Sequence, residues 1–164
     1  MELEKNNLSI NQIVAQKLDT TVCEGDCIVP DIKPDIFNII TSSGIVNVYK
    51  KEIMEGKVRI DGAINTYTIY TSEEDGKRET RSINYVLDFS QIINIENASH
   101  DMLFEISTNL KSIEARMVNE RKINVKAILD FDVKLFKNNN EEFITGIEDI
   151  LDLQKKEENI TVNS

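Results

Sequence analysis

Apolar residues recur at every second position over much of this chain. From 123 to 135, Ile123, Val125, Ala127, Leu129, Phe131, Val133 and Leu135 fall on one side, and Asn124, Lys126, Ile128, Asp130, Asp132 and Lys134 fall on the other. Successive strand side chains point to opposite faces, so this spacing predicts a long strand with one face on a core and one largely in water. A helix would spread the same aliphatics around its circumference. The stretch "KVRIDGAINTYTIY" repeats the alternation with Val58, Ile60 and Ile64. Gly62 stands among them where a side chain is missing, which predicts a bulge or a close backbone approach. "SINYVLDFSQIINI" is again rich in aliphatic and β-branched residues. In "MLFEISTNL", Met102, Phe104, Ile106 and Leu110 share one side, and the phase slips before Ile113, Ala115 and Met117. A slip of that kind predicts a bulge.

Turn chemistry separates these runs. Glu55-Gly56 and Asp75-Gly76 offer the positive φ that tight hairpins need, and Asn119-Glu120-Arg121 and the polar run Lys137 to Glu141 are further turns. Long strands joined by hairpins imply an antiparallel all-β domain. Apolar faces of this length must be covered, so two sheets are expected to pack as a β-sandwich. One short helix is expected near residues 34–41: Pro34 suits a first helical position, Ile36, Ile39 and Ile40 then share a side, and Ser42-Ser43-Gly44 ends it.

Residues 1–6 read as an N-terminal tail, 7–153 as the domain and 154–164 as a charged linker. The segment Asn159 to Asn163 imitates Asn7 to Asn11 in character, and either chance or the start of a second copy of the domain explains it.

Composition narrows the function. Of the 164 residues, 29 are acidic and 19 are Lys or Arg, giving a net charge of −10. Nucleic acid and anionic membrane surfaces are disfavoured partners, because both are held through Lys and Arg. The start, "MELEKNNLSI", lacks the apolar stretch of a secretory signal, and no run is long enough to span a bilayer, so a cytoplasmic protein without membrane insertion is expected.

The segment "VCEGDCIVPDIKPDI", residues 22–36, gathers both cysteines and both prolines. Cys23 and Cys27 are too few for a zinc site, since the one histidine, His100, stands far downstream. Their spacer, Glu24-Gly25-Asp26, would raise rather than depress a thiol pKa. On a straight strand their Cα atoms lie about 13 Å apart, four steps of about 3.3 Å, whereas a disulfide needs less than about 7 Å. Two reduced thiols flanking a turn or bend are expected, with no metal and no cofactor. His100 reads as a surface histidine, and the chain has no catalytic or phosphate-binding motif, so no catalytic residue is assigned. Asp130 and Asp132 lie on the wet face of their strand. "RMVNERKINVK" collects Arg116, Arg121, Lys122 and Lys126, which reads either as a solvated hairpin end or as a docking spot for an acidic patch on a second copy, making a homo-oligomer. Pro30 and Pro34 read as the joint where a first strand hands over to the sandwich, with Asp31 and Asp35 in turn and helix-start roles.

Three stretches carry a family resemblance. "VPDIKPDIFNII", "GIVNVYKKEIMEGKVRIDGAINTYTIY" and "NERKINVKAILDFDVKLF" together resemble the SPOCS domain of clostridial spore coat morphogenetic proteins of the SipL type. Pro30, Lys33, Pro34, Asp35 and Ile36 match its structural signature. The resemblance implies a non-enzymatic scaffold in the mother-cell cytoplasm, at the forespore surface, that attaches or organises coat layers. Its implied partners are stage IV sporulation protein A and other coat proteins. Such proteins often carry further SPOCS-like segments and a C-terminal LysM domain, so the parent sequence is expected to continue past Ser164. Two rival readings stand beside it: a self-assembling spore-surface subunit, and a carbohydrate-binding module or hydrolase using acids on a sheet face.

Overall fold

A computed structural model describes residues 12–137. Six long strands make up nearly all of it: β1 (Ile13–Ile28), β2 (Asn38–Met54), β3 (Lys57–Glu74), β4 (Lys77–Asn94), β5 (Leu103–Asn119) and β6 (Lys122–Phe136). They form two antiparallel three-stranded sheets, ordered β1-β6-β5 and β2-β3-β4. The sheets face each other, with β2 against β5 and β1 against β4. This is the all-β sandwich that the alternation predicts.

The cleanest alternation belongs to the two central strands, as it must when both neighbours and the opposite sheet cover one face. All seven odd-numbered residues of β6 from Ile123 to Leu135 are buried, and β3 buries Val58, Ile60, Ile64 and Tyr70. The rings of Phe131 and Phe89 meet across the sheets, their centroids 6.0 Å apart. Two buried hydroxyls on β3 have partners. The Thr66 hydroxyl donates to the Tyr85 carbonyl over 2.7 Å, and the Thr68 and Ser42 hydroxyls lie 3.0 Å apart.

The predicted hairpins close as two-residue turns. Asp75 and Gly76 take φ of 53° and 76°, as a primed turn requires, and Gly56 takes 78°. Glu120-Arg121 joins β5 to β6. In β5 a bulge sits where the phase slips, between Leu110 and Ser112, and a second, not expected from the pattern, lies between Met117 and Asn119. At Gly62 both expected features occur. Its partner strand bulges between Val48 and Lys50, and a Cβ on Gly62 would lie 2.5 Å from the Asn47 carbonyl oxygen and 2.6 Å from Phe89 Cζ.

The short helix at 34–41 does not form. Residues 34–37 are irregular, and β2 starts at Asn38, with Asn38 opposite Thr71 and Ile39 opposite Tyr70. The backbone groups a helix would need are engaged elsewhere: the Ile36 N–H donates to Glu120 O over 2.9 Å and the Phe37 N–H to Thr71 O over 2.7 Å. The β-branched run Ile36, Ile39, Ile40 and Thr41 favours the strand as well. Ser42-Ser43-Gly44, expected to end that helix, lies inside β2. Gly44 is there because Ile64, Leu110 and Ile113 come within 3.1–3.2 Å of where its Cβ would be. The turn expected over Lys137 to Glu141 and the paired segments at 7–11 and 159–163 lie outside the described residues.

Candidate interaction surface

The chain crosses between the sheets once at this end, through residues 29–37, and the signature residues all lie in that crossing. Pro30 opens a turn closed by the Lys33 N–H to Pro30 O bond of 2.9 Å. Ile36 is buried. The Pro34 carbonyl accepts from the Tyr70 hydroxyl at 2.9 Å, which ties the crossing to the second sheet.

Arg121 ties it to the first. From the β5–β6 turn its guanidinium donates to four oxygens: Nη1 to Lys33 O (2.8 Å) and Asp35 Oδ1 (3.0 Å), Nη2 to Val29 O (3.1 Å) and Pro30 O (2.8 Å). Its own backbone carbonyl accepts from the Val29 N–H at 2.9 Å. A planar fork with donors on both nitrogens can satisfy several carbonyls at once, which a lysine ammonium cannot match in geometry. The crossing is therefore a fixed loop. At its tip Ile32 is 91 % exposed, held out by the turn at Pro30 to Lys33.

The other basic residues of the Arg116–Lys126 group point elsewhere. Arg116, Lys122 and Lys126 share the outer face of the first sheet: Arg116 sits opposite Asn124, Lys126 lies between Glu114 and Glu24, and Lys122 Nζ is 3.8 Å from Asp26. On the same face Asp130 and Asp132 accept from Thr20 and Gln16, each over 2.9 Å. At the opposite end of the sandwich His100 Nδ1 lies 3.1 Å from the Glu55 carboxylate, and its hydrogen bonds hold that exposed carboxyl below its ordinary range. An open depression beside the crossing is lined by Lys33, Ile69, Thr80, Arg81 and Ser82.

Cys23 and Cys27 both face inward from β1, free and buried. Burial pushes both thiols above their usual pKa. A thiolate is the reactive form, so neither cysteine should react quickly with a disulfide reagent in the native chain, and both should react once urea unfolds it. Rapid native labelling of either would contradict the packing of β1. Among the described residues no group of three or more His, Cys, Asp or Glu is placed to hold a metal ion, and no helix is long and apolar enough to cross a membrane.

Sequence reasoning did not pick out Ile32 or the Arg121 clamp. Ile32 had one visible signal, an aliphatic residue between a proline-initiated turn and a lysine. The clamp had none, since it joins residues about ninety positions apart.

The described residues thus make a six-stranded antiparallel β-sandwich domain whose crossing loop is locked and presents an apolar tip. The chain belongs to the SipL SPOCS-domain family: the family model described as "SipL, SPOCS domain" matches residues 35–118, just over half of it. The match runs from the crossing through β2, β3 and β4 to the end of β5. No curated protein and no solved structure matches the chain. Membership gives it a sporulation-related role.

Proposed function

We propose that the chain is a non-enzymatic scaffold module of spore coat assembly, working at the forespore surface in the mother cell by protein–protein association. Its partners on this reading are stage IV sporulation protein A and other coat proteins. Family membership supports the setting, and the observation that carries the mechanism is the locked crossing with Ile32 at its tip. A large aliphatic side chain held in water by a rigid loop has little ordering entropy left to lose, so burying it in a partner's apolar pocket returns most of its transfer free energy as affinity.

Ile32→Asp tests this. Because Ile32 is 91 % exposed, the change should leave the unfolding transition in place. Binding to purified stage IV sporulation protein A, followed by calorimetry, should weaken by at least about tenfold, since a well-buried anchor is worth 2 kcal/mol or more. Unchanged binding would remove Ile32 from the interface. A pull-down from sporulating cells that recovered no coat protein would overturn the scaffold reading.

A further inference from the structure

Among the described residues, four of the six strands are sheet edges, and their edges are not equally protected. An edge presents unpaired N–H and C=O groups that recruit another strand unless bulges, charge or a covering segment prevent it. β2 and β5, which share one side of the sandwich, are each broken by two bulges. On the other side β1 is regular from Ala15 to Ile28, but it carries Asp19, Glu24 and Asp26 against Lys17, so two copies of it repel. β4 differs from all three: its register with β3 is unbroken over 18 residues.

Among the described residues, only one end of that edge is covered. Lys17 Nζ of β1 donates to Asn94 O over 2.8 Å, and Gln91 of β4 donates to Asp19 of β1 over 3.1 Å. Residues 78–88 lie clear of these bonds. Ile83, Leu87 and Phe89 face the core, so the even-numbered positions face outward. From 78 to 92 only two of those positions are charged, Arg78 and Asp88. Asp88 has no hydrogen-bond or ion-pair partner among the described residues. Arg78 stacks on Phe37 at 4.3 Å and lies 3.6 Å from Glu73, yet stays more than half exposed, with donors to spare.

From this arrangement we infer that the β4 edge pairs with the β4 edge of a second copy, antiparallel and centred on Ile83, to make one continuous six-stranded sheet. A two-fold interface must be self-complementary, each residue meeting its counterpart twice. Opposite charges on one face of an antiparallel edge meet that condition. With Ile83 on the axis, Arg78 lies opposite Asp88 of the second copy and Asp88 opposite its Arg78. The two positions are separated by an even number of residues, so facing residues share parity: outward faces stay outward, and open backbone groups meet open backbone groups. Between the ion pairs Thr80 meets Val86 and Ser82 meets Asn84, with no like charges opposed on the outer face. This pairing does not depend on the scaffold reading, which concerns the crossing loop and a different partner.

Sedimentation of the full chain tests it. The chain should dimerise, and Asp88→Lys and Arg78→Glu, each alone, should weaken dimerisation at least about tenfold, because each sets like charges against each other twice. An equimolar mixture of the two variants should dimerise again, since Arg78 then faces Asp88 and Lys at 88 faces Glu at 78. A Ser82→Cys/Asn84→Cys variant should cross-link into dimers on mild oxidation, which needs no charge change near Phe37. A wild-type chain that stays monomeric at about millimolar concentration, at which weak transient dimers are still populated, overturns the inference. So does a dimer indifferent to both reversals, or folded variants whose mixture fails to re-form it.

Discussion

Gly62→Ala should destabilise the domain by roughly 3 kcal/mol or more, the upper end of what overpacking a close-fitted core produces. The added methyl has nowhere to go. It would lie 2.5 Å from a backbone carbonyl of β2 and 2.6 Å from the ring of Phe89. That ring is wedged against Phe131 on the opposite sheet, so moving it disturbs the packing between the two sheets. The backbone atom is worse, because Asn47 lies in a bulged stretch whose register is already set on both sides. Urea unfolding should give a lower midpoint with an unchanged slope, since the surface exposed on unfolding is the same. A shift under about 0.5 kcal/mol, the range of an ordinary surface change, would mean that β2 yields at this point and that the close approach is not a constraint.

Arg121→Ala should cost roughly 2–4 kcal/mol, the loss expected when several charge-assisted hydrogen bonds go and their acceptors are left in a partly buried loop. Val29, Pro30 and Lys33 would each lose a donor to the backbone carbonyl, and Asp35 its cation. Arg121→Lys should recover less than half of that, as one ammonium cannot reach oxygens on both sides of the fork. The two variants also separate stability from function. If the crossing loop is what a partner binds, Arg121→Ala weakens binding at temperatures where the rest of the sandwich is still folded, since Ile32 then hangs from a loosened loop. Equal stability of Arg121→Ala and the natural chain in urea would show that the guanidinium bonds are replaced by water without loss.

The strands were legible because the physics that forms them acts between neighbours in sequence. Burial of every second residue marks β3 and β6 directly, and the phase slip before Ile113 marks the bulge at Lys111. Edge strands were harder, because only part of one face is covered: in β1, only Cys23 and Cys27 are buried. The helix expected at 34–41 fails for an instructive reason. Pro34 with Ile36, Ile39 and Ile40 satisfies a helical template, but the same residues satisfy a strand once Thr71 and Glu120 offer their carbonyls. Those partners are tens of residues away, so no window around Pro34 contains them. Arg121 was noticed in sequence for its charge, as one of a basic group. Its use as a clamp depends on the far ends of both sheets coming together, which is a property of the fold rather than of any segment.

The strands that carry the chain into and out of the sandwich are neighbours. β1 and β6 lie side by side, with Ile13 opposite Phe136, and the Lys137 N–H reaches Gln12 O over 3.3 Å. Their far ends, Ile28 and Lys122, adjoin the crossing. Tension between residues 12 and 137 therefore does not shear the sheet, in which case all the rungs would resist together. It unzips β1 from β6 one rung at a time, starting at Ile13, and the clamped tip with Ile32 is the last part to feel the pull. A domain wired this way yields first at its base: strain arriving through the connecting chain is absorbed there while the tip keeps its shape.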